Sequence, residues 1–466
     1  MQVSGLFSNI DTAELINSLL AVERKPIKNI EEKKDLLNKK KEIYNDVLNR
    51  LKNLKNLASD LSKSSSFNVF NVSYSQSDIV IFNTNSNTIE GKYNITVNNV
   101  AKAHTIGSDK QSSSTEALNL NSGTIKINGI DIEISSEDSL TIIRDKINNA
   151  QNINVRASIV DNVLRLQSIN TGSANQISLV DDNNILIDLG ILNNDLTIKN
   201  VFLEASDASV TVDGQVITSS SNLISNVFDS GSLEIIKTGS TEIKISKNLA
   251  SISSKIKSFV DQYNSTIDLI HTKITEKRIY PIKTQSEKYQ GLLNGDSMLN
   301  NIKSSLNSII IENVNGLSED LNELSEIGIT KYQYSTTGDN TSMLMGKLKV
   351  DDAKLNEALN TNFQGVIDVF TKNYGVENLN PNDYGIAVRL NDYLYNLTKS
   401  SDGIFSEKSK SIETEIKMLQ DRIDSISKRL ELREKALQNK YVNMESAFFS
   451  SGNQLNWLQL IISSWR

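Results

Sequence analysis

Apolar residues recur every seven positions near the start of the chain, at Ile30, Leu37, Tyr44, Leu51 and Ala58. Val47, Leu54 and Leu61 fall three after the last three of these. This spacing predicts a helix from residue 10 to about 62 with a heptad seam, strong in its second half. In the first half Lys33 and Lys40 take the matching positions, so that end is expected to pair weakly by itself.

From 73 to about 248 the period changes to two. "TIKINGIDIEI" alternates Ile125 and Ile127, then Asn128-Gly129, then Ile130, Ile132 and Ile134. Asn-Gly between alternating runs predicts a hairpin, because both turn positions need positive φ. "SVTVDGQVIT" repeats the idea with Asp213-Gly214. Each hairpin runs through a Ser-rich link into a short apolar-periodic stretch, "SSEDSLTIIRDKINNA" and "SSSNLISNVF". This reads as a weak internal repeat of a hairpin leading into a short helix, and so as two related β-rich, sandwich-like modules.

Helical spacing returns near 251 with Ile252, Ile256, Phe259, Tyr263, Ile267 and Ile270. Asp296 or Ser297 is the expected N-cap of "NGDSMLNNIKSSLNSIII", and Asp351 that of one helix over "KVDDAKLNEALNTNFQGVIDVF". Between them "TKYQYSTTGDNTSMLMGKLKV" predicts a strand pair around a polar turn. A last long helix is expected from about 404, with Ile412, Ile416, Leu419, Ile423, Ile426, Leu430 and Leu437 in 4-3 steps and Met444 and Ala447 extending the frame. Arg433 and Lys440 then fall at inward positions, as Lys33 and Lys40 do at the other end. Neither terminal helix has an apolar stripe wide enough to stand alone.

The economical solution is an α+β chain in which the terminal helices pair as a coiled-coil stem. That stem is expected from 1–45 and 410–466, on a helical leg from 46–72 and 251–409. A first β-rich head domain (73–110 and 200–250) carries a second one (111–199) inserted in it. The stem seam is expected at Ile30, Leu37, Tyr44, Leu51, Ile416, Ile423, Leu430 and Leu437.

Both tryptophans lie in the last ten residues. Past Ser450, Ser451 and Gly452 the heptad frame continues through Leu458, Ile461 and Trp465, and Leu455, Trp457 and Ile462 widen it. A final amphipathic segment hinged on Gly452 is predicted. Trp457, Leu458, Ile461 and Trp465 are its candidate docking residues, for a partner or for the stem itself. A membrane-surface helix is disfavoured, since such helices are rich in lysine and arginine and this one has Arg466 alone.

Composition narrows the classes further. Forty-nine basic residues against 56 acidic give a net charge of −7, the wrong sign for a nucleic-acid protein. Cysteine is absent, which removes disulfides, thiolate metal sites and thiol nucleophiles together. The first residues lack a secretory signal pattern, and no uncharged apolar run reaches the roughly 18 residues of a membrane span. His104 and His271 lie far apart without obvious partners, and no nucleophile elbow, Walker loop, dinucleotide fingerprint or EF-hand appears. Asp181-Asp182 reads as a turn after a strand and Asp351-Asp352 as a helix start. "SKSSSF" and "SDKQSSSTEA" read as linkers or loops. No cofactor or metal is expected, and an enzyme is disfavoured.

Six segments in order resemble one family. They are "SGLFSNIDTAELINSLLAVERKPI", "GKYNITVNNVAKAHTI", "TIKINGIDIEISSEDSLTIIRDKINNA", "LLNGDSMLNNIKSSL", "LSEIGIT" and "GKLKVDDAKLNEAL...FQGVIDVF", closed by the long C-terminal helix. The chain is similar nearly end to end to the flagellar filament cap proteins (FliD, hook-associated protein 2). Asn9 stands where that family often has glycine, and the tail is more apolar than the family's polar ends.

The resemblance implies an assembly role. Such a protein leaves the cell through the flagellar type III apparatus without a cleaved signal. It sits as a ring, usually described as a pentamer, on the distal filament tip, where it retains flagellin and helps it fold and polymerise. Implied partners are further copies of itself, flagellin, the hook-filament junction proteins and an export chaperone at the C-terminal helix. Two other readings compete: a surface adhesin binding host mucin or glycans through the β-rich modules, and a glycan-active enzyme using Asp181 and Asp182.

Overall fold

The computed structural model describes residues 11–225, 227, 231–333, 341–373 and 380–464. The expectations on Asn9 and Trp465, and the polar turn expected at 334–340, lie outside them. The chain divides into two compact units, Phe67–Ile252 and the combined segments Met1–Ser66 and Ser253–Arg466. It opens with α1 (Thr12–Leu61), capped by Asp11, whose carboxylate accepts the N–H groups of Ala13 and Glu14 at 3.0 Å.

The β-rich unit follows, with β1 (Phe70–Tyr74), β2 (Val80–Asn83) and β3 (Gly91–Asn99). Next come β4 (Thr105–Gly107), β5 (Gly123–Ile127), β6 (Ile130–Ile134), α2 (Leu140–Asn149), β7 (Val155–Val160) and β8 (Val163–Ser168). Then β9 (Leu179–Asp181), α3 (Ile185–Asp188) and β10 (Asn200–Leu203) precede β11 (Ala208–Val212), β12 (Gln215–Ser219), β13 (Leu223–Ser225), β14 (Ser232–Ile235) and β15 (Gly239–Lys247). A five-stranded sheet in the order β1-β15-β3-β11-β12 and a three-stranded one, β13-β14-β2, enclose the first core around Ile95, Val210, Leu233 and Ile243. The inserted module has its own core. Its sheets, β10-β4-β8-β7 and β6-β5-β9, close with α2 and α3 over Ile106, Ile125, Ile143 and Leu166. The boundaries expected at 110/111 and 199/200 fall inside this module, because β4 and β10 hydrogen-bond to each other within the sheet of β7 and β8.

The predicted hairpin turns are Asn128-Gly129 (φ 50° and 79°) and Asp213-Gly214 (φ 45° and 93°), both left-handed as a type I′ turn requires. A third joins β7 to β8 through Asp161-Asn162 (φ 51° and 60°), which has no glycine to announce it. The second unit of the internal repeat departs from the first at Leu223–Ser225. After β5 and β6 the chain forms α2, but after β11 and β12 residues Leu223–Ser225 form an edge strand on β14. Two chain segments link the modules, and they are tied together. Lys102 and Ser206 bridge them, Asp207 accepts from Ser173 N–H (2.8 Å) and Oγ (2.7 Å), and Gly172 (φ 105°) abuts Ser220, where a Cβ would come within 2.5 Å.

The helical unit adds α4 (Leu249–Thr275), α5 (Gln285–Tyr289), α6 (Ser297–Ile311), β16 (Ile329–Lys331), α7 (Thr341–Met345) and β17 (Leu348–Val350). It continues with α8 (Asp352–Thr361), α9 (Phe363–Thr371), α10 (Ile386–Thr398) and α11 (Ile404–Ser464). The strand pair is present, with α7 on the link between its strands. The helix expected over 351–370 is two helices. Asn362 leaves helical geometry (φ −140°, ψ 66°) and its side chain accepts from Gly365 N–H at 3.0 Å, capping α9. The core forms where α10, with Ile386, Leu390 and Leu394 buried, packs on α1, α6 and α9. Phe259 meets Phe370 edge-on at 6.5 Å. Asn264 replaces a ladder partner for β17, exchanging 2.7 and 2.8 Å bonds with the Leu348 backbone.

Candidate assembly surfaces

The two terminal helices pair antiparallel. Cross-helix pairs Glu23–Arg433 (3.9 Å), Lys33–Glu415 (2.8 Å) and Lys41–Glu413 fix the alignment. Residue numbers in the first and last of these add to 456 and 454. Ile16, Leu20 and Leu430 form a buried cluster between the helices, with Ile27, Ile426, Leu437 and Tyr441 packed around it. Of the expected seam, Leu37, Tyr44, Leu51, Ile423 and Leu430 are buried, and Ile30, Ile416 and Leu437 are half-buried. Tyr44 still touches α11, with its ring edge-on to Phe405 at 6.4 Å. Its hydroxyl donates to Asp296 at 2.5 Å, and burial followed by that carboxylate pushes its pKa up. Leu51 lies beyond the start of α11 in this alignment, in the half of α1 that packs on α10, so it belongs to the leg core.

The four inward cations do not stand inward. Lys33, Arg433 and Lys440 are exposed and Lys40 is half-buried. A straight helix of 3.6 residues per turn drifts from a 3.5 repeat, and long cationic side chains reach out from a seam edge to water. Lys33 and Arg433 become flank partners instead. Ile16 and Leu20, absent from the expected seam, make its most buried contact on α1; their i, i+4 spacing in "ELINSLL" was the available signal.

The expected hinge at Gly452 is absent. α11 runs unbroken from Ile404 to Ser464, and a Cβ at Gly452 would meet nothing within 4 Å. One glycine costs a helix only about 1 kcal/mol against alanine, too little to break it. Trp457 is 63% exposed and Leu458 48%, while Ile461 is half-buried. Leu455, Leu460, Ile462, Phe448 and Phe449 are exposed as well, so apolar side chains cover much of the helix circumference. No helix among the described residues is long and apolar enough to cross a membrane.

The candidate catalytic groups are used by the fold. Asp181 caps α3, accepting N–H groups of Asn183, Ile185, Leu186 and Ile187 at 2.7–3.2 Å. Asp351 caps α8 through Ala353 and Lys354. His271 Nδ1 lies 3.0 Å from Lys303 Nζ, and burial, then the lysine charge, lower its pKa. Among the described residues no cluster of carboxylate and imidazole groups suits a metal.

His104, 3% exposed, accepts the Ile177 N–H at Nδ1 (3.0 Å), so the ring is neutral with its proton on Nε2. Burial lowers its pKa, partly offset by Glu204, whose carboxylate lies 3.9 Å from Nε2. The unfolded chain then takes up the proton first. The stability tied to neutral His104 is complete above its unfolded pKa of about 6.5 and is lost as pH falls from there through the lowered folded value. Thermal melts from pH 7.5 to 5 are expected to fall more steeply for the wild type than for His104→Gln; parallel slopes would refute this.

Similarity to known proteins agrees with these features. The family description "Flagellar hook-associated protein 2 C-terminus" matches residues 205–452, and its N-terminal counterpart matches residues 8–104. A flagellar hook-associated protein 2 of Thermotoga maritima is 30% identical over 352 residues, 72% of this chain and 54% of its own. The B-type flagellar hook-associated protein 2 of Pseudomonas aeruginosa is 26% identical, over 80% of this chain and 78% of its own. This chain therefore aligns to about half the length of the first relative and most of the second. The crystal structure of the flagellar cap protein FliD D1-D2-D3 domains from Escherichia coli superposes with a TM-score of 0.62 at 26% identity, over 79% of this chain and 99% of that one. With the family's C-terminal description alone spanning more than half of its residues, this chain belongs to the flagellar hook-associated protein 2 family.

Proposed function

We propose that this protein caps the distal end of a growing flagellar filament, where it retains exported flagellin and promotes its folding and polymerisation. The observation that carries the reading is the antiparallel stem of α1 and α11, which returns both terminal helices to one side of the helical unit in a chain of this family. In this reading 1–45 and 410–466 form the stem that enters the filament through the seam from Ile30 to Tyr44 and Ile416 to Leu437. Segments 46–72 and 251–409 form the leg. The β-rich unit forms the lid, built as a ring of copies, a pentamer on the filament. The protein travels through the flagellar type III apparatus, and the junction proteins of hook and filament precede it. The apolar surface around Trp457 and Leu458, both exposed, takes the export chaperone before secretion and flagellin afterwards.

A strain lacking the gene is expected to have no full filaments and to release unpolymerised flagellin into the medium. Normal filaments in that strain would end the proposal. Complementation with a chain cut at Gly452 tests the tail separately, through chaperone binding and cap retention.

A further inference from the structure

The inserted module carries opposite charges on the outward faces of its two sheets. In β7 and β8 the residues Val155, Ala157, Leu164 and Leu166 point into the core, so Arg156, Ser158, Arg165 and Gln167 point out. The register sets Arg156 opposite Gln167 and Ser158 opposite Arg165, which makes the two arginines diagonal neighbours. The Arg165 guanidinium lies 4.5 Å over the ring of Phe202. Gly107 leaves room for that ring, since a Cβ there would meet it at 2.4 Å. Arg165 Nε is buried without a hydrogen-bond partner, and among the described residues neither arginine pairs with a carboxylate.

The other sheet has the reverse sign. Ile130, Ile132 and Ile134 face inward on β6, so Asp131 and Glu133 face out, opposite Lys126 and Thr124 of β5. Lys126 bonds Asp131 at 2.5 Å and also feels Asp182, just past β9. That one cation is shared, and among the described residues Glu133 has none. Both sheets supply the same core, so these faces turn away from each other.

One surface positive, another negative and both on one module is the arrangement of a heterologous contact, in which the first face of each copy meets the second face of the next. We propose that the β7–β8 face, with Arg156 and the Phe202-stacked Arg165, docks on the β5–β6 face, with Asp131, Glu133 and Asp182, of a second copy of this chain. The proposal rests on the ring reading above and names the contact that closes the ring. The head-to-tail sense lets each copy use both faces, and the stacked arginine is held ready for a carboxylate without further ordering.

The chain has no cysteine, so engineered thiols test this against a blank background. In the full-length protein, Ser158→Cys and Thr124→Cys place one thiol on each face. The double variant, oxidised at low salt, is expected to give a ladder of cross-linked species, and each single variant is expected to stay monomeric on a denaturing gel. Adding Arg156→Glu and Arg165→Glu should cut the ladder at least tenfold, and adding Asp131→Lys and Glu133→Lys to that protein should restore it. The last variant also shows that the reversed module folds. A dimer from either single variant, or a ladder indifferent to charge reversal, overturns the proposal. A native ring without a ladder overturns this contact alone, whereas neither ring nor ladder overturns the ring reading with it.

Discussion

Replacing Asp181 by alanine is expected to destabilise the β-rich unit by about 3 kcal/mol and to lower its melting temperature by about 10 °C. A carboxylate offers about four acceptor sites, and here four backbone N–H groups occupy them. The residue is only 8% exposed, and Ile185 and Leu186, which it caps, are buried in the module core. Alanine leaves those donors unpaired in a place water reaches poorly, at about 1–3 kcal/mol for each one that stays dry. Asparagine keeps a single acceptor oxygen and should fall between. Asp182, exposed and outside the cap, should tolerate alanine with a change under about 0.5 kcal/mol. Calorimetry of the three variants decides the matter, and an unshifted Asp181→Ala would sink it. The same geometry bears on catalysis, because a carboxylate whose lone pairs are engaged by its own backbone has none ready for a proton or a metal.

What the sequence disclosed follows from where its signals are local. Heptad and period-two patterns are written in consecutive residues, so α1, α4, α11 and the glycine-bearing hairpins were legible. The break at Asn362 was not, because an apolar helical stripe runs through it and only the side chain's bond to Gly365 reveals the cap. Leu223–Ser225 could not be placed either, since its state is set by β14 and not by its own three residues. The same holds for α10, whose buried face became meaningful only with α1, α6 and α9 around it. At the candidate surfaces, spacing identified Leu430 and Leu437 but set Leu51 in the wrong neighbourhood. A heptad says which face is apolar and leaves open which partner covers it, and α1 has two partners along its length. The paired charges of the inserted module were visible as residues and invisible as faces, because a face exists only once register is known.

Leu20→Asp is expected to open the stem while leaving the β-rich unit intact. Among the described residues, the buried cluster between α1 and α11 holds three apolar side chains, Ile16, Leu20 and Leu430. The ion pairs between these helices are exposed, and such pairs contribute about 0–1 kcal/mol each. Burying a leucine is worth about 1.5–3 kcal/mol, so Leu20 supplies a large share of a small total. An aspartate there removes that share and adds a charge with no partner in the cluster, for a local loss of about 3–5 kcal/mol. The leg should hold, because Tyr44, Val47, Leu51 and Leu54 pack elsewhere along α1. Hydrogen exchange is therefore expected to accelerate across residues 12–30 and 423–441 and to stay unchanged in 67–252. Retained protection in the first two segments would show that the helices hold together by other means. A stem this lightly fastened opens at low cost, which is what the proposed exchange of its partner helix for flagellin helices requires.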